Sequence, residues 1–214
     1  MSYQILKRLL DIIGSIIALL IFSPIILFTA LYIKIMSPEG PIFADIPDRV
    51  GKGGKEFRFL KFRSMIPNAH RWLDDHPEWK EKYKANNYKI DPKEDPRMIK
   101  GEFINFMRKA SIDELPQFIN VLRGEMSIVG PRAYYPFEIK DQAVKFNIPA
   151  DVVAKAISVN PGITGPWQVG GRSLISFDKR IAIDADYASQ KSILYDILLI
   201  LKTPYVVLTM KGAY

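Results

Sequence analysis

Cysteine is absent from the 214 residues, and histidine occurs only at His70 and His76. The first absence excludes disulfides, thiolate nucleophiles and cysteine-ligated metal sites, and leaves the compartment open. The second leaves too little imidazole for a histidine-built zinc site or a Ser-His-Asp triad. Internal repeats and low-complexity tracts are lacking as well. Chemistry therefore falls to carboxylates, Lys, Arg, Tyr or a hard, oxygen-bound metal.

Charge is missing from one place in particular, since no Asp, Glu, Lys or Arg occurs from Ile12 to Ile33. A straight helix over that run, at about 1.5 Å per residue, reaches roughly 33 Å, enough to cross a bilayer core. Ser23-Pro24 sits at its middle, where proline removes a backbone donor and clashes with the preceding turn, so a kink or break is expected. Each half, roughly 18 Å long, enters one leaflet without crossing two. Lys7-Arg8 precede the run and Lys34 follows it. By the positive-inside rule both ends prefer the cytoplasmic side, which a re-entrant helix-break-helix over residues 1–36 satisfies and a single span does not. A kinked span is the competing arrangement. A signal peptide fits poorly, because no A-x-A cleavage site follows the long run.

The net charge is +7, and Arg49, Lys52, Lys55, Arg58, Lys61 and Arg63 face one acid, Glu56, within a short stretch. Beside a membrane segment this cluster is expected to meet anionic lipid head groups. Nucleic acid is not the expected partner, because aromatic residues do not interleave with the basic ones in a base-stacking pattern.

Residues 37–214 read as one α/β, mainly helical domain. Ile42-Phe43 and Phe57 to Phe62 alternate as short strands around the turn Gly51-Lys52-Gly53-Gly54. Residues 68–100 form a polar surface insertion, helix-prone from His70 to Lys84. Leu115 to Leu122 predicts a helix closed by Arg123-Gly124, and Pro136 to Ile157 one interrupted at Pro149. From Phe177 to Leu201 helical spacing returns, with Ile193, Leu194, Ile197, Leu198 and Leu201 on a face suited to the core or to a membrane interface. Asp196, Lys202 and Pro204 argue against a second span.

The stretch from Arg108 to Arg132 holds two adjacent carboxylates, Asp113-Glu114, between two arginines, a composition suited to a metal-bound diphosphate. Ser111-Ile112-Asp113-Glu114 also has the form of a capping box. The two readings are compatible, because a helix N-terminus presents free N–H groups to a phosphate. Adjacent helical residues point about 100° apart, so the two acids would do different jobs. Arg108 and Arg132 are natural phosphate clamps, and the Gly130-Pro131-Arg132 turn fixes the second at low entropic cost. Arg172, after Gly170-Gly171, follows the same logic, although a lone arginine more often ends in a surface salt bridge. Asp184 and Asp186 face different ways at helical spacing and read as solvated acids. Trp167 reads as a core or interface aromatic.

Taken in order, Lys61-Phe62-Arg63-Ser64-Met65, Ser111 to Gln117, Asn120 to Arg132, Pro161 to Gly165 with Trp167-Gln168-Val169, Lys202-Thr203 and Gly212-Ala213-Tyr214 match a known pattern. The chain resembles, over essentially its whole length, the bacterial sugar transferases of the monotopic phosphoglycosyl transferase superfamily. That resemblance implies transfer of a sugar 1-phosphate from a UDP-sugar to undecaprenyl phosphate at the bacterial inner membrane, with the catalytic domain facing the cytoplasm. UMP would leave, and membrane glycan assembly would begin. It implies Mg2+ at Asp113 and Glu114, with Asp113 attacking the β-phosphate to form an aspartyl phosphosugar and Glu114 supporting the metal or proton transfer. Lys61, Arg63, Arg108, Pro131, Arg132, Arg172 and Asp184 would surround the phosphates and nucleotide, and Ser23-Pro24 would break the membrane helix.

Two positions depart from the family pattern. Ala133 stands where a proline is usual, which is expected to loosen the turn behind Arg132, and Pro166 precedes Trp167 where a leucine is usual. The insertion and the Gly-Ala-Tyr ending are more like the hexose transferases, those for galactose or glucose. The chain reads as the minimal form, without the domains that precede the catalytic part in long members. Its oligomeric state stays open, a homodimer included. Against all this stands a membrane-anchored, non-catalytic module that binds anionic lipid or a protein partner, with Asp113-Glu114 merely a helix cap.

Overall fold

The uncharged run forms a helix that its proline does not interrupt. In the structure, a computed structural model describing residues 2–86, 88, 90–171 and 175–209, α1 (Tyr3–Met36) passes through Pro24 as one element. Pro24 has no N–H for the carbonyl of Leu20, four residues back. The Ser23 hydroxyl donates to that carbonyl instead, at 2.8 Å. The serine repairs the hydrogen bond that the proline deletes, so the break expected at Ser23-Pro24 leaves no gap in the helix.

Ten α-helices and two short strand pairs follow one another among the described residues, which makes the fold mainly helical. β1 (Arg49–Val50) pairs antiparallel with β2 (Glu56–Phe57), and an isolated antiparallel bridge joins Phe43 to Phe62. A hairpin does form around the expected turn, with a 3-10 turn at Lys52–Gly54 where Gly53 takes a φ of 68°, but its two-residue strands are Arg49–Val50 and Glu56–Phe57, and the expected Ile42-Phe43 strand meets Phe62 only through the isolated bridge. The insertion folds as α2 (Ala69–Asp74) and α3 (Pro77–Ala85), split where Pro77 opens the second helix. It is more than a surface loop: Leu73, Ile90, Arg97 and Ile99 are buried.

α4 (Glu102–Lys109) leads through a 3-10 turn at Ile112–Glu114 into α5 (Gln117–Arg123), which ends as expected on Gly124 at φ 79°. β3 (Ser127–Val129) and β4 (Gly162–Thr164) run parallel, Ser127 opposite Gly162 and Val129 opposite Thr164, with α6 (Pro136–Lys145) and α7 (Ala150–Ala156) between them in the chain. Just beyond β3 the two chains approach so closely that a Cβ on Gly130, Gly162 or Gly165 would strike the backbone opposite. α8 (Pro166–Gly170), α9 (Phe177–Gln190) and α10 (Ile193–Thr209) complete the chain. The helical pattern read from Phe177 to Leu201 is thus two helices, divided at Lys191-Ser192.

Both ends of α1 rest on this one body. Near the start, Arg8 donates to the carbonyls of Val121 and Leu122 at 2.6 and 2.7 Å, satisfying the end of α5, and Lys7 pairs with Asp196 at 2.9 Å. Asp11 accepts from the Ser127 hydroxyl and the Ile128 amide, both at 2.9 Å. Near the far end, Ile33 is buried with Phe62, Ile104 and Met107, and Tyr32 packs on Phe103 with centroids 4.7 Å apart. Between these anchors Leu20, Ile21, Leu27, Phe28 and Leu31 face outward. α10 also turns Leu194, Leu201, Tyr205 and Leu208 outward, so its apolar face is not spent on the core.

Candidate active site

A cavity of about 1040 Å³ opens between the middle of α1, the C-terminal half of α10 and the body. On the side of α1 and α10 its wall is apolar, with Phe22, Ile25, Ile200, Val207 and Leu208. Elsewhere it is basic, with Arg49, Lys61, Arg108 and Arg132, and it holds both acids of the sequence motif.

The acids arrive by a route that the pattern did not foresee. Ser111 does not cap a helix: its φ is 59° and its side chain makes no capping bond. Its amide reaches the Arg108 carbonyl at 3.1 Å, so it closes α4 in a left-handed conformation and does not open α5. The 3-10 turn that follows points Asp113 inward, 2 % exposed, and the Phe62 amide donates to the Asp113 carbonyl at 2.8 Å. That bond lays the Lys61-Phe62 segment beside the acids. Lys61 Nζ stands 2.8 Å from Asp113 and 3.4 Å from Glu114, whose side chain keeps 38 % of its exposure. The two acids therefore occupy different environments, as adjacent positions on a turn require.

Burial pushes the Asp113 carboxyl above the ordinary carboxylate range; Lys61 opposes this and Glu114 reinforces it. Burial would also lower the Lys61 ammonium, but the two carboxylates outweigh it and hold Lys61 above its usual value. The Lys61 side chain is 26 % exposed, so its desolvation is partial and the pair is best described as ionised.

Behind the cavity the Pro131-Arg132-Ala133 turn is fastened at every residue. Gly162 donates to the Pro131 carbonyl at 2.8 Å, Arg49 to the Ala133 carbonyl at 2.9 Å, and Val50 to the Tyr134 carbonyl at 2.9 Å. The loosening expected of Ala133 is met by these external bonds. Asp184 is not a solvated acid: it is fully buried in α9, accepts from the Arg132 amide at 3.1 Å and from the Tyr134 hydroxyl at 2.6 Å, and lies outside the cavity wall. Its carboxyl is raised to about 6, burial outweighing those two donors. Asp186 is exposed, as its position on the other face demands. Trp167 is buried between the guanidinium groups of Arg132 and Arg180, at 4.9 and 5.1 Å from its ring centre, a core wedge as expected.

The basic cluster divides. Lys52, Lys55 and Arg58 are exposed, whereas Arg49 and Arg63 are buried and Lys61 serves the acids. Arg63 donates to Ser37 Oγ, Ser37 O and Pro41 O at 2.8, 2.6 and 2.5 Å, so its guanidinium is committed to the end of α1. Arg108 lines the cavity and rests on Met98 Sδ at 2.8 Å. Arg172 and Gly212-Ala213-Tyr214 lie outside the described residues. Residues that the sequence reading did not assign to the site also line the cavity: Arg49, His70, Tyr83 and Tyr135. Burial, with Arg97 and Arg49 nearby, lowers His70 to about 4, so it enters the site as a neutral imidazole.

This arrangement of a buried acid, an attendant lysine and an arginine on a Gly-Pro turn coincides with a match along the whole chain. The model of the bacterial sugar transferase family covers residues 2–210. The chain belongs to the bacterial sugar transferase family. It is 40% identical over 223 residues to an uncharacterized sugar transferase of Haemophilus influenzae, covering 100% of this chain and 43% of that one. It is 37% identical to the undecaprenyl-phosphate galactose phosphotransferase of Salmonella typhimurium, over 100% of this chain and 42% of the relative. With the exopolysaccharide production protein ExoY of Sinorhizobium fredii the identity is 35%, over 97% of this chain and 88% of the relative. This family member thus spans less than half of the first two relatives and most of the third.

Proposed function

We propose that the protein transfers a hexose 1-phosphate, of galactose or glucose, from a UDP-sugar to undecaprenyl phosphate, releasing UMP and starting membrane glycan assembly. The observation that carries this reading is Asp113, buried against Lys61 in a cavity whose one side is basic and whose other side is formed by apolar residues of α1 and α10. A water-soluble nucleotide and a lipid-borne phosphate can meet at such a boundary.

In the proposed reaction an Asp113 carboxylate oxygen attacks the β-phosphorus of the UDP-sugar. The bond from that phosphorus to the bridging oxygen breaks, and UMP leaves with the electron pair. An oxygen of undecaprenyl phosphate then attacks the same phosphorus and displaces the Asp113 carboxylate, which regenerates the enzyme. Lys61 holds Asp113 in its ionised form, and Arg108 and Arg132 take the charge of the phosphates. Among the described residues no cluster of three or more acidic or histidine side chains could hold a metal alone. The Asp113-Glu114 pair nevertheless fits Mg2+, which binds through one or two carboxylates and completes its shell with water and substrate phosphates. Bound there, it would neutralise the diphosphate charge that repels the nucleophile.

We infer a re-entrant placement of α1 in the inner membrane, with the body on the cytoplasmic side. Lys7 and Arg8 at one end and Ile33 at the other contact the same body, which a helix with its ends on opposite faces of a bilayer could not do. Because the chain has no native cysteine, Ser2→Cys and Glu39→Cys report the topology directly: both should label from one side, and labelling from opposite sides would establish a span. The function is tested with a panel of UDP-sugars, Mg2+ and undecaprenyl phosphate, read as UMP release. Absence of release with every donor would favour the non-catalytic membrane module.

A further inference from the structure

Four arginines among the described residues are deeply buried, and three of them have a carboxylate within 4 Å. Arg97 makes two parallel bonds to Asp95 at 2.8 and 2.7 Å, Arg180 meets Glu138 at 3.4 Å, and Arg63 lies 3.9 Å from Glu39. Arg49, 8 % exposed, is the exception: no described carboxylate pairs with it. Its guanidinium donates to the Ala133 carbonyl and lies against the Tyr135 ring, 3.3 Å from the centroid, while its Nε finds no acceptor. A buried cation without a counter-charge is costly, and a stacked ring face offsets little of that cost.

The neighbouring cation does not relieve Arg49. Arg132, the next arginine along the same cavity wall, also has an Nε without an acceptor. The two guanidinium groups repel one another: burial lowers the hold of Arg49 on its proton, Arg132 adds to that effect, and Tyr135 and the more distant Glu138 only partly oppose it. Two forked donors lining the same cavity, each with an unused N–H, are complementary to an anion with several oxygens. We propose that Arg49 is a phosphoryl-binding residue of this site, working with Arg132 on the anionic part of a substrate. The proposal rests on the phosphosugar transferase reading. The phosphoryl group has two sources within it, the diphosphate of the nucleotide sugar and the phosphate of the lipid acceptor.

The test uses the full chain in detergent, with EDTA present, and compares wild type with Arg49→Gln and Arg49→Lys. Calorimetric titration with inorganic pyrophosphate should give an affinity at least tenfold weaker for Arg49→Gln, with Arg49→Lys intermediate, while uridine, which has no phosphate, binds all three alike. Equal pyrophosphate affinity in wild type and Arg49→Gln would overturn the proposal, as would a loss extending equally to uridine, which marks a merely structural role. If Arg49→Gln does not fold, Arg49→Lys decides: a severalfold loss of pyrophosphate binding at an unchanged thermal midpoint supports the fork, and no loss refutes it. In turnover, a raised KM for the UDP-sugar assigns Arg49 to the donor, and a raised KM for undecaprenyl phosphate assigns it to the acceptor. Pyrophosphate binding needs no turnover, so a wild type that binds it without releasing UMP would count against the transferase reading alone.

Discussion

Asp113 and Asp184 are both acids without meaningful exposure, 2 % and 0 %, yet one faces the cavity and the other stands behind it. Asp113 is countered by the ammonium of Lys61 and crowded by Glu114, charged groups on side chains that can move. Asp184 is held by a phenol and a backbone amide, neutral donors fixed by the fold. Both carboxyls are raised by burial. Burial alone therefore does not distinguish the two acids; their partners do, and under the proposed function the acid with movable charged partners acts on substrate while the one with fixed neutral donors holds the chain in place.

The comparison breaks most visibly at Asp113, the proposed nucleophile. Asp113→Asn should lower UMP release by about a thousandfold or more while leaving the thermal midpoint near that of wild type, since removing a covalent nucleophile closes the two-step route. Lys61→Met should cost about a hundredfold in turnover, the scale of losing one charge-stabilising donor. It should also move the acid limb of the pH–rate profile upward. Lys61 lowers the Asp113 pKa, so without it the carboxyl holds its proton to a higher pH and stops attacking sooner as pH falls.

The rear acid should respond in stability more than in rate. Asp184→Asn keeps an oxygen for both donors, so turnover should fall by no more than about tenfold, the worth of one ordinary hydrogen bond. Because the native Asp184 carboxyl is raised to about 6, the folded state holds a proton that the unfolded state has already lost above about pH 4. Wild-type stability from this group therefore falls as pH rises from about 4 to 6, and thermal melts of Asp184→Asn against wild type should lose that decline. Tyr134→Phe is the smallest effect, about 1 kcal/mol of stability. It removes a bond that lowers the Asp184 pKa, so the same decline should move to higher pH.

Much of this was legible in the residues. The apolar run, the Gly124 helix end, the hairpin around Gly53 and the acid pair are all local signals, set by a few neighbouring side chains. What escaped depended on distant partners. Ser-x-x-Glu reads the same whether Ser111 opens one helix or closes another, and only the bond from its amide to the Arg108 carbonyl decides. Arg49 and Arg63 read as members of one basic cluster facing lipid head groups, and for Arg63 also phosphate, because burial by Tyr135 and by the end of α1 comes from residues far away in sequence. Asp184 looked exposed because the residues that enclose it, Arg132 and Tyr134, lie some fifty positions earlier. Pro24 predicted a kink or break, and the helix stays continuous through it because the Ser23 hydroxyl takes the Leu20 carbonyl that the proline leaves without a donor.

The central claim is that Asp113 carries the phosphosugar between donor and acceptor. Intact-protein mass spectrometry after mixing the enzyme with UDP-galactose or UDP-glucose and Mg2+, with no lipid phosphate present, tests it most directly. The account predicts that wild type gains the mass of one hexose phosphate and releases UMP in step with it, while Asp113→Asn does neither. UMP release that requires undecaprenyl phosphate and leaves no adduct on the wild-type chain, or an adduct that persists in Asp113→Asn, would contradict it.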